Sequence, residues 1–162
     1  IVIHSLRQVK EEAHARFDAT HRTYEYHIAF QKNPFKHNAH HILHTPPDIA
    51  LMNEAANYLL QHSDFEAFSK THTDVKTFLC DISFAHWVAT EDGAIFTITA
   101  NRFLRNMVRA IVGTLLDVGT KKIAVDEINL IIESRDRGQA GFSVPACGLY
   151  LTEINYPSEV YI

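Results

Sequence analysis

Three arginines pose the first chemical question of this sequence. Arg102, Arg105 and Arg109 stand at i, i+3 and i+7 within residues 101–119, NRFLRNMVRAIVGTLLDVG. At roughly 100° per residue they share one side of a helix, and Leu104, Met107, Val108, Ile111, Val112 and Leu115 share another. No acid occurs from residue 101 to residue 116, although the chain has a formal net charge of -4. A guanidinium keeps its charge at any ordinary pH and presents a planar fork of donors that matches carboxylate or phosphate. The pattern has two readings. One is the solvated side of an amphipathic helix, the commoner outcome of such periodicity. The other is a row of cations aimed at an anionic group. Arg16 and Arg22 add to the question, because they precede an aromatic run containing Tyr24 and Tyr26. Guanidinium groups beside aromatic rings are the footprint of nucleic-acid binding, by phosphate contact and base stacking. The plainer reading is tyrosines in a sheet core and arginines paired with surface acids.

Other chemistries find less support. The chain has 11 histidines, and His37, His40, His41 and His44 cluster in one stretch, NPFKHNAHHILHTPP. On a helix that spacing gathers two or three imidazoles, which suit zinc. The stretch lies between prolines, which oppose a regular helix, and holds no cysteine or carboxylate. No metal site is expected; stoichiometric zinc or nickel in the purified chain would overturn that. Cys80 and Cys147 are too few for a disulfide framework or a four-thiolate zinc site. Neither stands at a helix start beside a cation that would activate a thiolate. A Ser/His/Asp triad can be assembled from any chain this rich in histidine and carries no weight. There is no glycine-rich phosphate loop.

The totals fit one globular domain over residues 1–162, with 46% apolar and 21% charged residues. The net charge and a pI near 6.2 exclude a uniformly basic nucleic-acid binder but leave room for a local basic groove. No apolar run approaches the roughly 18 residues of a membrane span. The start is not a secretory signal. A reducing, cytoplasmic setting is expected. Ile1 is not an initiator, so the chain is expected to be a fragment.

The elements that must position these residues can be read in order. Residues 1–9 alternate loosely and read as a strand. Residues 23–30, TYEYHIAF, read as a strand with Tyr24, Tyr26 and Ile28 on one face. Residues 34–47 read as a loop or a broken extended segment. Asp48 follows two prolines and is placed to cap a helix over residues 49–62. Residues 75–90 read as an irregular strand, with Ile82, Phe84, His86 and Val88 opposite Ser83, Ala85, Trp87 and Ala89. Glu91-Asp92-Gly93 is a hairpin turn leading into a strand over residues 94–100. The arginine helix follows and stops at Gly119. A short helix over residues 125–133, a loop and a final strand over residues 149–156 complete the chain. This order gives an α+β domain: an antiparallel sheet with helices packed on one face.

Four segments carry a resemblance. FDATHRTYEYHI, HSDFEAFSK, MVRAIVG within the arginine helix, and CGLYLTEINYP occur in this order over residues 7–157. Together they resemble the C-terminal half of the TruA family of tRNA pseudouridine synthases, which act on the anticodon stem-loop. The resemblance implies one half of the pseudouridine synthase fold. It also implies a reaction: uridine in RNA is cut at N1–C1′, the base turns, and C5 joins C1′. The family's catalytic aspartate stands in an Arg-Thr-Asp-x-Gly motif of the N-terminal half. None of Asp18, Asp48, Asp64, Asp74, Asp81, Asp92, Asp117, Asp126 or Asp136 has that context. The nucleophile is therefore expected outside this chain, in an absent N-terminal domain, and the chain is expected to be inactive alone.

The resemblance also assigns roles. Tyr24 packs on the target base, and Arg109 pairs with the catalytic aspartate. Leu149 lines the base pocket. Arg22 and Arg16 are basic positions beside the cleft, Arg22 as a phosphate contact. Arg105, like Arg102, touches phosphate or merely water. Around residues 77–81, where many relatives are more basic, this chain has Phe78, Leu79 and Cys80, with Lys76 remaining. The implied partners are tRNA and a second copy in a homodimer, with no metal or organic cofactor and no membrane. The competing reading is a non-catalytic RNA-binding or dimerisation module on the same scaffold. The presence of Arg-Thr-Asp-x-Gly upstream of Ile1 would separate the two.

Overall fold

The structure, a computed structural model, describes residues 1–36, 38–71 and 75–162. His37 of the histidine cluster and Asp74 lie outside the described residues.

One strand organises the sheet. β1 (His21–Ala29) is rich in aromatic and β-branched residues, which fit a pleated, half-buried surface. Along one edge it pairs antiparallel with β4 (Gly93–Ala100), from Arg22 opposite Ala100 to Ala29 opposite Gly93. Along its other edge, His21 to Tyr26 pair antiparallel with β5 (Leu149–Asn155), and Ile28 and Ala29 pair in parallel with β2 (His41–Ile42). β3 (Ile82–Ala89) completes the sheet against β4, giving the order β2-β1-β4-β3 with β5 alongside β1. The expected antiparallel sheet holds apart from the two-residue β2, which lies in the stretch read as loop or broken extended segment.

One face of the sheet is covered. Tyr26 and Ile28, Phe96 and Ile98, and Ala85 and Trp87 point into the core, where Trp87 stacks on Phe96 at 5.0 Å between centroids. Among the described residues the α-helices are α1 (Ile49–Leu59), α2 (Met107–Gly119) and α3 (Glu127–Ser134), and α1 packs on both β3 and α2. Asp48 caps α1 as expected: its Oδ1 accepts the amides of Ala50 and Leu51 at 3.1 and 3.2 Å. On the other face Phe84 and Val88 stay open, 47% and 56% exposed.

Three expectations are corrected. Residues 1–9 form no strand; Val9 makes an isolated bridge to Tyr161, and the residues before it are exposed. They meet no sheet edge, so their alternation has nothing to bury. β3 is shorter than residues 75–90, and a bulge between Ile82 and Phe84 moves Ile82 to the buried face with Ala85 and Trp87. The largest change concerns the arginine helix. It begins at Met107, because Asn106 sits in the left-handed region with φ 68°. Asparagine tolerates that conformation better than most residues. Arg102 and Arg105 are therefore off the helix, and the row of three does not exist. All of α2 except Arg109 and Asp117 is buried, which makes it a core helix rather than an amphipathic one.

That burial includes a backbone-to-backbone contact. A Cβ on Gly113 would overlap the carbonyl oxygen of Phe142, and one on Gly141 would lie 2.7 Å from both Gly113 C and Thr114 N. The Thr114 hydroxyl accepts the Gly141 amide at 2.8 Å and donates to Ala110 O at 3.0 Å. The loop after α3 is thus pressed onto α2 as a strap. Gly113→Ala should force them apart and lower the urea midpoint by the equivalent of about 1–3 kcal/mol at unchanged m-value. A midpoint equal to the parent's would show that the strap yields freely.

Candidate functional site

A cleft of about 910 Å³ opens at the start of β1, between the turn at residues 16–20, residues 75–77 and the chain leaving β4 at residues 101–103. Its cations are Arg16, Arg22, Lys76 and Arg102, and its rings are Phe17, Tyr24 and Phe103. No acid is among its described lining residues, so an acidic chain carries a local basic groove. Tyr24 projects from the core-facing side of β1 at the sheet's end, half-buried, with Phe103 edge-on at 5.1 Å and 90°. That contact fixes the phenol ring while leaving part of it open. The Arg16 guanidinium lies 5.6 Å from the Phe17 ring centroid, a cation–π arrangement.

The cations differ in what they have left to offer. Arg22 donates from Nη1 to Asn101 O at 2.8 Å and to Ala19 O at 3.3 Å, and from Nη2 to Arg16 O. Its fork is occupied by three main-chain carbonyls and ties the 16–20 turn to the end of β4. The role expected of it, a phosphate contact, meets a group already engaged in building the wall. Arg16, Lys76 and Arg102 form no ion pair among the described residues.

Arg109 is not among the residues that line this cleft. It is the partly exposed residue near the start of α2, and the strap fixes it. Its Nε donates to Val144 O at 2.5 Å, and its own carbonyl accepts the Val144 amide at 3.2 Å. The terminal nitrogens have no acidic partner among the described residues. Arg137 braces the strap with bonds to the carbonyls of Ala140 and Gly141 at 3.2 and 3.0 Å and to Ser143 Oγ at 2.9 Å. Asn106 Nδ2 also donates to Ser143 Oγ. The strap then passes through a short 3-10 turn (Ala146–Gly148) into β5, whose first residue, Leu149, is the register partner of Tyr26.

Tyr26 joins the two regions. Two residues along the same face from Tyr24, it is fully buried and donates to Pro145 O at 2.7 Å. Burial pushes its phenol pKa well up, the Cys147 thiol adds to that, and the Arg109 charge opposes it. The opposing effect places Arg109 within electrostatic reach of the Tyr26 ring.

Of the residues singled out in the sequence, the cleft gathers Tyr24, Arg22, Arg16, Arg102 and Lys76. The strap gathers Arg109 and Leu149, and β1 connects the groups. Arg105 joins neither. Its side chain is exposed, and its carbonyl accepts the Lys70 amide at 3.0 Å. Sequence reasoning passed over Phe17 and Phe103 as cleft rings. Phe103 carried a readable signal, since an aromatic residue among arginines does not suit a solvated helix face. Of the remaining histidine cluster, His40 is buried, His41 lies in β2 and His44 is exposed; no metal-binding group of three is present among the described residues.

Fold and cleft together define an α+β domain that offers fixed cations and aromatic faces at one end of its sheet. A family model described as tRNA pseudouridine synthase matches residues 55–157. Proteins named tRNA pseudouridine synthase A are similar across nearly the whole chain. The one from Bacteroides fragilis is 50% identical over 162 residues, covering 99% of this chain and 64% of its own length. That of Porphyromonas gingivalis is 50% identical over 164 residues, covering all of this chain and 65% of the relative. A more distant one, from Bacillus velezensis, is 40% identical over 146 residues, covering 88% and 59%. The chain belongs to the tRNA pseudouridine synthase family, and it spans about 64% of the length of the relatives it matches most fully.

Arg22 offers a direct check of the wall. Lysine cannot reproduce a planar fork bound to three carbonyls. Arg22→Lys should speed amide exchange in the 16–20 turn by at least about tenfold, while the α2 amides keep their protection. Unchanged exchange in that turn would mean that the guanidinium is not what holds it.

Proposed function

We propose that this chain is the C-terminal half of a tRNA pseudouridine synthase acting on uridines of the anticodon stem-loop in the cytoplasm. The observation that carries the reading is Arg109. Its Nε is anchored on the strap, its terminal fork has no acid among the described residues, and Leu149 follows on the same strap. In a chain 50% identical to named tRNA pseudouridine synthases, that fork is suited to a carboxylate supplied from elsewhere in the protein. An adjacent cation keeps such a carboxylate ionised and oriented, as a nucleophile requires.

The chain's other groups then divide the work. Tyr24 packs its half-open ring against the target base. Leu149 lines the pocket beside it. The base has to leave its stack, at a cost of a few kcal/mol, and contact with a fixed aromatic face offsets part of this. Arg16, Lys76 and Arg102 neutralise phosphates along the cleft, with Arg22 holding the wall they stand on. Arg105, off the helix and exposed, contributes at most a peripheral phosphate contact. The reaction is an isomerisation: the N1–C1′ bond breaks, the base turns, a C5–C1′ bond forms, C5 loses its proton and N1 takes one up, with no net change in atoms. Phe84 and Val88 on the open sheet face are what a second copy would cover in a homodimer, and sedimentation of the full-length protein tests that assembly. Among the described residues no helix is long and apolar enough to cross a membrane.

Two measurements test the reading. The 162-residue chain alone should give no pseudouridine in an anticodon stem-loop, because its aspartates lack the nucleophile's context. Turnover by it would place the nucleophile within these residues. In the full-length protein, Arg109→Ala should lower kcat by at least about a hundredfold while stem-loop affinity changes by less than about threefold. Equal losses in both would make Arg109 a phosphate contact instead.

A further inference from the structure

The strap carries two consecutive main-chain carbonyls with separate holders. Val144 O accepts from Arg109 Nε at 2.5 Å, and Pro145 O accepts from the Tyr26 hydroxyl at 2.7 Å. Pro145, with φ -52° and ψ 145°, has a ring-locked φ, which restricts the orientation of the two carbonyls relative to each other. Three residues on, Gly148 presses against β1 at the same tyrosine: a Cβ there would lie 2.6 Å from His27 O and 3.0 Å from Tyr26 Cζ. Leu149 follows as the register partner of Tyr26. The phenol is fully buried and takes no part in the cleft. Its hydroxyl is thus a peg between the residue that holds Arg109 and the residue that begins β5.

We infer that the Tyr26 hydroxyl is a positioning group for Arg109 and Leu149, setting the height of the strap over α2 and thereby the direction of the Arg109 fork. This rests on the function proposed above and assigns a part to the second tyrosine of the β1 face. A tyrosine that served only to fill the core would be replaced by phenylalanine with some loss of stability and no change of chemistry. A peg acts through Arg109, so its removal should have no further effect once Arg109 is gone.

The experiment uses the full-length protein and an anticodon stem-loop RNA. Tyr26→Phe is expected to lower kcat about tenfold with KM within about twofold. The double variant Tyr26→Phe/Arg109→Ala is expected to be no slower than Arg109→Ala alone. An unchanged kcat, or losses that multiply in the double variant, would overturn the inference. 4-Aminophenylalanine at position 26 keeps a donor at the ring's para position and should retain at least about a third of kcat. A loss beyond about tenfold in that folded protein would also overturn it, which covers the case in which Tyr26→Phe is too unstable to assay. The Arg109 Nε–H resonance and Leu149 methyl shifts give a second readout, independent of turnover. Both should move in Tyr26→Phe, or in the 4-aminophenylalanine protein by less, and lines that stay in place would refute the peg. If the parent protein makes no pseudouridine, the proposed function fails and the resonances still decide the role of Tyr26.

Discussion

The contact on which the rest of the molecule depends is the backbone-to-backbone approach of the strap to α2. Glycine at 113 and at 141 removes the two Cβ atoms that would hold the segments apart. With them gone, Thr114 reaches the Gly141 amide, and Val144 reaches Arg109 through both its amide and its carbonyl. Close packing leaves little room for compromise, since a separation larger by even one ångström would break bonds of this length. The strap's height also decides where β5 begins, and β5 supplies the longer part of what β1 pairs with on that edge. One steric permission therefore connects the core helix, the sheet and the arginine.

The same geometry sorts the cations. Arg22 and Arg109 are both partly buried, and both use guanidinium nitrogens on main-chain carbonyls, but in different ways. Arg22 engages both terminal nitrogens with three main-chain carbonyls, so most of its donors support a wall. Arg109 engages Nε alone, which leaves the bidentate end of the group pointing away from its anchor. Arg16, Lys76 and Arg102 stand at the rim of a cleft without acids among its described lining residues. Net charge therefore says little about such a molecule: a formal -4 overall coexists with a groove of one sign.

Local signals in the sequence were reliable where local chemistry decides the outcome. Asp48 after two prolines marked the start of α1, and Glu91-Asp92-Gly93 marked the β3–β4 turn. The aromatic run of β1 announced a strand with Tyr24, Tyr26 and Ile28 on one face, the face on which Tyr26 and Ile28 are buried. The failures share a cause. Periodicity continued the arginine helix back through Arg102, because an asparagine permits φ 68° at position 106 but does not require it. That turn lets Leu104 enter the core and Phe103 meet Tyr24. The bulge after Ile82 and the parallel pairing of β2 depend on a partner strand far away in sequence. The alternation of residues 1–9 predicted a strand that has no sheet edge to join.

By itself, the sequence determined the α+β class, most of the elements and the family, because hydrophobic period, turn residues and ordered motifs are properties of short stretches. It also named Tyr24, Arg109 and Leu149 by their likeness to family motifs. Only the tertiary structure decided what those residues can do. It dissolved the arginine row and spent Arg22 on three carbonyls. It anchored Arg109 by Nε on a strap 35 residues further along the chain. It also placed the Tyr26 hydroxyl under that strap. A guanidinium's role is set by which of its donors are already satisfied, and that is known only when the chain has closed around it.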